Sequence, residues 1–304
     1  MATTQEKGNP AVEMDQDVAT APQMSVPDGG LVAWTTIAGA WLILFATSGY
    51  MFSFGVYEDF YVLEYLSNHS PSSIAWIGSF QLMSPFLLGI FSGKLFDDGH
   101  FHALQICGGT VFTLSLFMLS LAKPQQYYQI FLSQGVGMGF GLGCTYLPSA
   151  SIVSHHFAKR RGLASGIALS GGAVGSAVFP IMLNHLLPRI GFGQAVRATA
   201  YVVLGCVVAG NVMMKTRFRA HYKRADAGGS RMWGFLTDAP YMLTVLGLSL
   251  ANVGNFFPLT YIQLYAEQHS VSSSASFYSI TSINAAGVLG ANCGKLLRRR
   301  LRIR

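Results

Sequence analysis

Polar and apolar positions in this chain alternate on the scale of whole helices rather than single turns. Long apolar stretches are separated by short segments that hold most of the charge. A helix rises 1.5 Å per residue and the hydrocarbon core of a bilayer is about 30 Å thick, so a crossing needs about 20 largely apolar residues. Eight stretches meet that length: 34–56, 74–96, 103–122, 127–149, 163–187, 197–215, 239–262 and 275–295. The pattern predicts an all-α membrane protein of about eight transmembrane helices, with the lipid bilayer as its first partner.

Composition and charge refine this picture. Hydrophobic residues are 51% of the 304 positions and charged residues only 11%, which leaves too little charge to cover a soluble surface. A net charge of +7 would point to nucleic acid in a soluble protein. Here the bases sit beside apolar stretches, so no nucleic-acid partner is expected. Lys94, Lys159, Arg160, Arg161, Lys215, Arg217, Arg219, Lys223, Arg224 and Arg231 fall in alternate connections, while the opposite ones hold only Lys123, Arg189 and Arg197. Bases stay on the cytosolic side, so both termini are predicted to be cytosolic, in a multi-pass protein of the plasma membrane.

The charge pattern also divides the chain. Residues 1–26 have neither a basic start nor an apolar core and read as a disordered cytosolic tail. Residues 27–215 form a six-helix transmembrane half, 216–238 a basic cytosolic connection, and 239–304 two further helices with a basic tail. Asn68-His69-Ser70, just before Pro71, is a possible glycosylation acceptor in an outer connection.

The glycines point to close packing. Gly135, Gly139 and Gly143 recur every four residues, with Gly137 and Gly141 between them and Pro148 beyond. Small residues let membrane helices approach closely, so a tightly packed, kinked helix is expected. Gly166, Gly171, Gly172 and Gly175 mark the fifth stretch in the same way. They either pack it tightly or leave room for sliding.

No catalytic chemistry stands out. Cys107, Cys144, Cys206 and Cys293 lie in apolar stretches without paired spacing, and His155 and His156 are adjacent, so they cannot share a helix face as metal ligands would. No metal, no cofactor and no enzymatic activity are expected. The candidate substrate-pathway residues are the polar side chains within spans: Gln81, Gln134, Tyr146, Asn184, Asn252, Asn255 and Asn284, with Asn211 and His185 also inside the apolar stretches. Facing lipid is costly for such groups, so each either meets a solute or bonds a neighbouring helix. No Asp, Glu, Lys or Arg occupies the middle of a span. A small organic solute that is neutral or amphipathic suits such a lining.

Six spans, a long basic connection and further spans resemble the major facilitator superfamily, in which two six-helix halves rock about a midplane site. Pro27-Asp28-Gly29-Gly30-Leu31-Val32-Ala33-Trp34 resembles the entrance signature of its monocarboxylate transporters, with Asp28, Gly29, Gly30 and Trp34 as the matching positions. Phe157-Ala158-Lys159-Arg160-Arg161-Gly162-Leu163-Ala164-Ser165-Gly166 resembles that family's second signature. Gly93-Lys94-Leu95-Phe96-Asp97-Asp98-Gly99-His100-Phe101 is similar to the superfamily's loop between the second and third helices, in its fungal form.

The resemblance implies a fungal monocarboxylate-transporter-like permease, exporting a secondary metabolite or importing a monocarboxylate-like nutrient. It also implies a cytosolic gate of Gly93, Asp97, Lys159, Arg160 and Arg161. The ionisable residues that carry proton chemistry in animal monocarboxylate carriers have no counterparts here, where Met51-Phe52 and the neutral stretch from Ser279 to Gly294 stand. About eight of the family's usual twelve helices are expected. The chain is thus read as truncated after the eighth, with a transport-inactive fragment as the alternative and self-association as a way to supply the remainder.

Overall fold

The computed structural model of the chain describes residues 29–216, 238–251 and Gly254. Asp28, Asn252, Asn255, Asn284, most of the 216–238 connection and the eighth expected span lie outside the described residues. The described residues are mostly helical, without a strand among them. Among the described residues, five helical segments are long and apolar enough to cross a membrane. They are α1 (Leu31–Tyr65), α2 (Pro71–Asp97), α3 (Phe101–Leu119), α4 (Tyr127–His155) and the segment Arg161–Met213. The last is two helices, α5 (161–190) and α6 (192–213), divided at Gly191 with φ 75° and ψ 168°. A shorter apolar helix, α7, spans Ala239–Ala251.

The helix ends depart from the expected spans for identifiable reasons. α1 continues nine positions past residue 56 and closes in a π turn at Tyr61–Tyr65. Tyr57, Phe60, Tyr61 and Tyr65 pack around Phe192, with ring centroids 6.2, 5.6, 6.0 and 4.4 Å from it. Aromatic burial, worth about 0.5–1.5 kcal/mol per pair beyond area, outweighs the polarity of Glu58 and Asp59 and keeps the helix going. α4 similarly passes residue 149 and ends in a 3₁₀ turn, Ile152–His155.

The connection expected at 188–196 is not an open loop. Helix runs up to and away from Gly191, a single residue in a conformation that only glycine adopts at low cost. Arg189 and Arg197 therefore flank a tight corner rather than sit in a loop. Arg197 Nε donates to Ser120 Oγ at 3.3 Å. α2 begins after Ser70, whose hydroxyl accepts from the Ser73 N–H at 3.3 Å, with Pro71 in the first turn.

Close approaches set the helix directions. A Cβ added at Gly39 would lie 2.7 Å from Gly210 O, and Tyr50 bonds Thr199, so α6 runs antiparallel to α1. Gly171 meets Trp41 and Gly175 meets Gly49, so α5 runs parallel to it. Gly191 is thus the reversal.

α4 carries two glycine stripes for two neighbours. A Cβ at Gly139 or Gly143 would press on Ser84 or Leu88 of the parallel α2, at 2.5 and 2.7 Å. One at Gly141 would fall 2.6 Å from Phe112 of the antiparallel α3. Lipid tails are as apolar as leucine, so van der Waals contact of this kind, not the hydrophobic effect, holds the helices together.

The helices alternate in direction, which gives the bundle two ends. One gathers Leu31, Asp97, Phe101, His155, Arg161 and Met213, together with Lys94, Lys159, Arg160 and Lys215, and is called the basic end below. The other gathers Tyr65, Pro71, Leu119, Tyr127 and Gly191.

Candidate functional site

The polar residues expected to line a pathway separate into distinct environments. Gln134 on α4 is buried, and its Oε1 accepts from the Tyr61 hydroxyl at 2.6 Å. That bond joins α1 to α4, so Gln134 serves helix association. Gln81 on α2 is equally buried, but its Nε2 has no hydrogen-bond partner. A buried donor left unpaired costs about 1–3 kcal/mol, so Gln81 retains hydrogen-bonding capacity that the bundle itself does not use. Tyr146 is half-buried and packs against the core. Asn184 and its neighbour His185 are exposed toward the Gly191 end of α5. Asn211, near the end of α6, donates through Nδ2 to Val207 O at 2.9 Å while its Oδ1 has no partner. These side chains do not converge on one point.

Three further groups were invisible as a site in the sequence. The Tyr50 hydroxyl lies 2.5 Å from that of Tyr57 and 3.0 Å from Thr199 Oγ1, all of them buried. Gln105 of α3 donates to Thr145 O at 3.2 Å and to Ser149 Oγ at 2.7 Å on α4. The third group is half-buried. Trp41 stacks on Phe45 at 5.4 Å with planes 8° apart, and its Nε1–H donates to Ser170 Oγ on α5 at 3.2 Å.

Trp41 follows Leu31 by ten residues, about 15 Å along a helix, which is half the thickness of a hydrocarbon core. Trp41 and Phe45 lie across α1 from Gly39, the residue that meets α6. They form a flat aromatic surface within the apolar length of α1, on a side turned away from α6. Helical periodicity alone shows an aromatic stripe; only the α5 partner shows that one indole is fixed in orientation.

The expected gate residues all fall at the basic end. Asp97 is the last residue of α2 and is exposed, and Arg161 opens α5 just after the exposed Lys159 and Arg160. Between them sits the turn that ends α4. Phe96 stacks on His155 there at 5.2 Å and packs edge-on against Phe101 at 5.9 Å. A Cβ at Gly93 would lie 3.1 Å from Leu147 Cδ2, so α2 and α4 approach closely at this level. Of the entrance signature, Gly29 and Gly30 precede α1, and Trp34 packs edge-to-face on Phe157 with centroids 5.2 Å apart. Asn68 is exposed at the opposite end, where its backbone N–H donates to Gln125 Oε1 at 3.3 Å.

A Major Facilitator Superfamily model matches residues 29–304. The chain belongs to the major facilitator superfamily. Within that superfamily it is 36% identical over 264 residues to the MFS-type transporter dbaD of Emericella nidulans, covering 86% of this chain and 58% of that protein. It is 36% identical over 287 residues to the Fujikurins efflux protein of Gibberella fujikuroi, covering 93% of this chain and 61% of the relative. It is 33% identical over 290 residues to the MFS-type transporter pytF of Aspergillus terreus, covering 95% and 96%. The chain thus spans about 60% of the length of the first two relatives and nearly all of the third. As a superfamily member with five helices able to cross a bilayer, it is a multi-pass membrane protein.

Proposed function

We propose that this protein carries a small organic solute across the membrane by alternating access, as a monocarboxylate-transporter-like member of the superfamily, and that its role is export of a fungal secondary metabolite. The superfamily match over residues 29–304 carries the transport reading. The Fujikurins efflux protein, a relative named for export, supports the direction. The basic end is taken as the cytosolic face, with both termini there, in the plasma membrane. Residues 27–215 serve as one moving six-helix unit and the segment from 239 onward belongs to the opposing one.

The solute is neutral or amphipathic. Among the described residues no charged side chain lies in the middle of a span, and the groups available within the spans are the Trp41–Phe45 surface, Ser170 and the amide of Gln81. Asn252, Asn255 and Asn284 are the contribution expected from beyond. Asp97 and the Lys159-Arg160-Arg161 run close the cytosolic side when the pathway opens outward, since a carboxylate and guanidinium groups at helix ends form charge-assisted bonds.

Flux of a panel of labelled neutral and anionic compounds into vesicles containing only this chain tests the proposal. Uptake of neutral amphipathic compounds above empty vesicles, reduced in Trp41→Ala, is expected. An inserted protein that moves none of them refutes the transport reading, and flux restricted to small carboxylates refutes the solute class. Protease cleavage near Arg219 from the extracellular side of intact cells refutes the orientation.

A further inference from the structure

The two signature segments, far apart in sequence, meet at the basic end. Trp34 of the first packs edge-on against Phe157 of the second at 5.2 Å. His156, the residue before Phe157, is buried, and its Nε2 lies 2.8 Å from the carbonyl oxygen of Lys215, just past the end of α6. A carbonyl only accepts, so Nε2 carries the proton and donates. The Lys215 N–H in turn donates to Thr36 Oγ1 at 3.2 Å, and the Thr36 hydroxyl donates to Val32 O at 2.8 Å. Met214, between α6 and Lys215, is buried, and a Cβ at Gly39 would come within 2.7 Å of its Cγ. One residue of backbone is therefore held from both sides, its carbonyl by the turn after α4 and its amide by the first turns of α1.

We propose that His156 is a positioning residue that clasps Lys215 and fixes the point at which the chain leaves the six-helix bundle. The proposal rests on the transporter reading, in which this bundle moves as a body against the segment that follows. A fixed point of departure lets displacement of one unit pull on α1, α4, α5 and α6 together rather than unwind the last turn of α6.

The test uses the full chain in lipid nanodiscs and hydrogen exchange of peptides containing Met214–Thr216, because the Lys215 amide reports directly on its bond to Thr36. His156→Phe keeps a planar ring and removes the donor; His156→Gln keeps an N–H at similar reach. Loss of one such bond is expected to speed exchange roughly three- to tenfold in His156→Phe, with His156→Gln close to the original rate. Equal rates in the original protein and His156→Phe overturn the clasp, as does His156→Gln exchanging as fast as His156→Phe. Should His156→Phe fail to insert, nitrogen-15 spectra of histidine-labelled original protein still decide: a protonated Nε2 supports the clasp and a bare Nε2 overturns it. In flux assays, loss of transport in His156→Phe with recovery in His156→Gln supports the positioning role. Undiminished flux despite fast exchange overturns that role alone. No flux from any form, with the expected exchange pattern, overturns the transporter reading and leaves the clasp standing.

Discussion

Replacing Gly175 with alanine tests how α1 and α5 are held together. A Cβ at this position would lie 2.8 Å from Gly49 Cα and 3.2 Å from the Phe45 carbonyl carbon, with Phe45 O nearer still. All three are backbone atoms, so no side-chain rotation relieves the clash. The two helices must part by about 1 Å to restore ordinary carbon–carbon separations of about 3.5–4.0 Å. Overpacking of this kind costs about 1–3 kcal/mol, while alanine gains up to about 1 kcal/mol over glycine in helix propensity. With the full propensity gain, the net change is a loss of up to about 2 kcal/mol. Gly205 on α6 is the control, since a Cβ there meets nothing within 4 Å. Gly205→Ala keeps the propensity gain alone, which separates the two variants by about 1–3 kcal/mol. Reversible unfolding in mixed micelles, followed by tryptophan fluorescence, measures the difference. If Gly175→Ala proves as stable as Gly205→Ala, the close α1–α5 approach is not what holds this interface.

Other consequences are open to measurement. Tyr61→Phe strands the buried Gln134 carbonyl and is expected to cost about 1–3 kcal/mol; the double variant with Gln134→Leu should recover most of it, and failure to do so would deny the bond its role. Gly191→Ala forces a side chain into a conformation tolerated essentially by glycine alone, with an expected loss of about 1–3 kcal/mol, read from the same unfolding curves. Trp34→Ala removes the edge contact on Phe157 and should cost about 0.5–1.5 kcal/mol beyond the lost area. Under the proposed gate, Asp97→Asn should shift cysteine accessibility of the pathway toward the cytosolic side, and an unchanged labelling pattern would remove Asp97 from it.

Much of the architecture was legible in the sequence because lipid imposes one dominant requirement, length of apolar helix. The four-residue recurrence of Gly135, Gly139 and Gly143 likewise announced a packed helix, although not that Gly141 served a second neighbour. What stayed hidden depended on distant partners. Glu58 and Asp59 lower local hydropathy and mark a false end to α1, and only the docking of Tyr57, Tyr61 and Tyr65 on Phe192 reveals the true one. Pro188 and Arg189 read as loop because a one-residue reversal leaves no compositional trace beyond a single glycine. Gln81 and Gln134 look alike in sequence. One is paired because a tyrosine 73 positions earlier reaches it, and the other is not.

The double row of glycines on α4 also limits how this unit can move. A rod fitted into two neighbours at once, with no methyl group to spare on either side, has no freedom to spin about its own axis: any turn would drive a bulky flank into α2 or α3. Tilting as a block with those two helices is the motion left to it. Under the proposed alternating access, the three rods are expected to move as one, and a swap that thickens either flank of α4 is expected to hinder that movement.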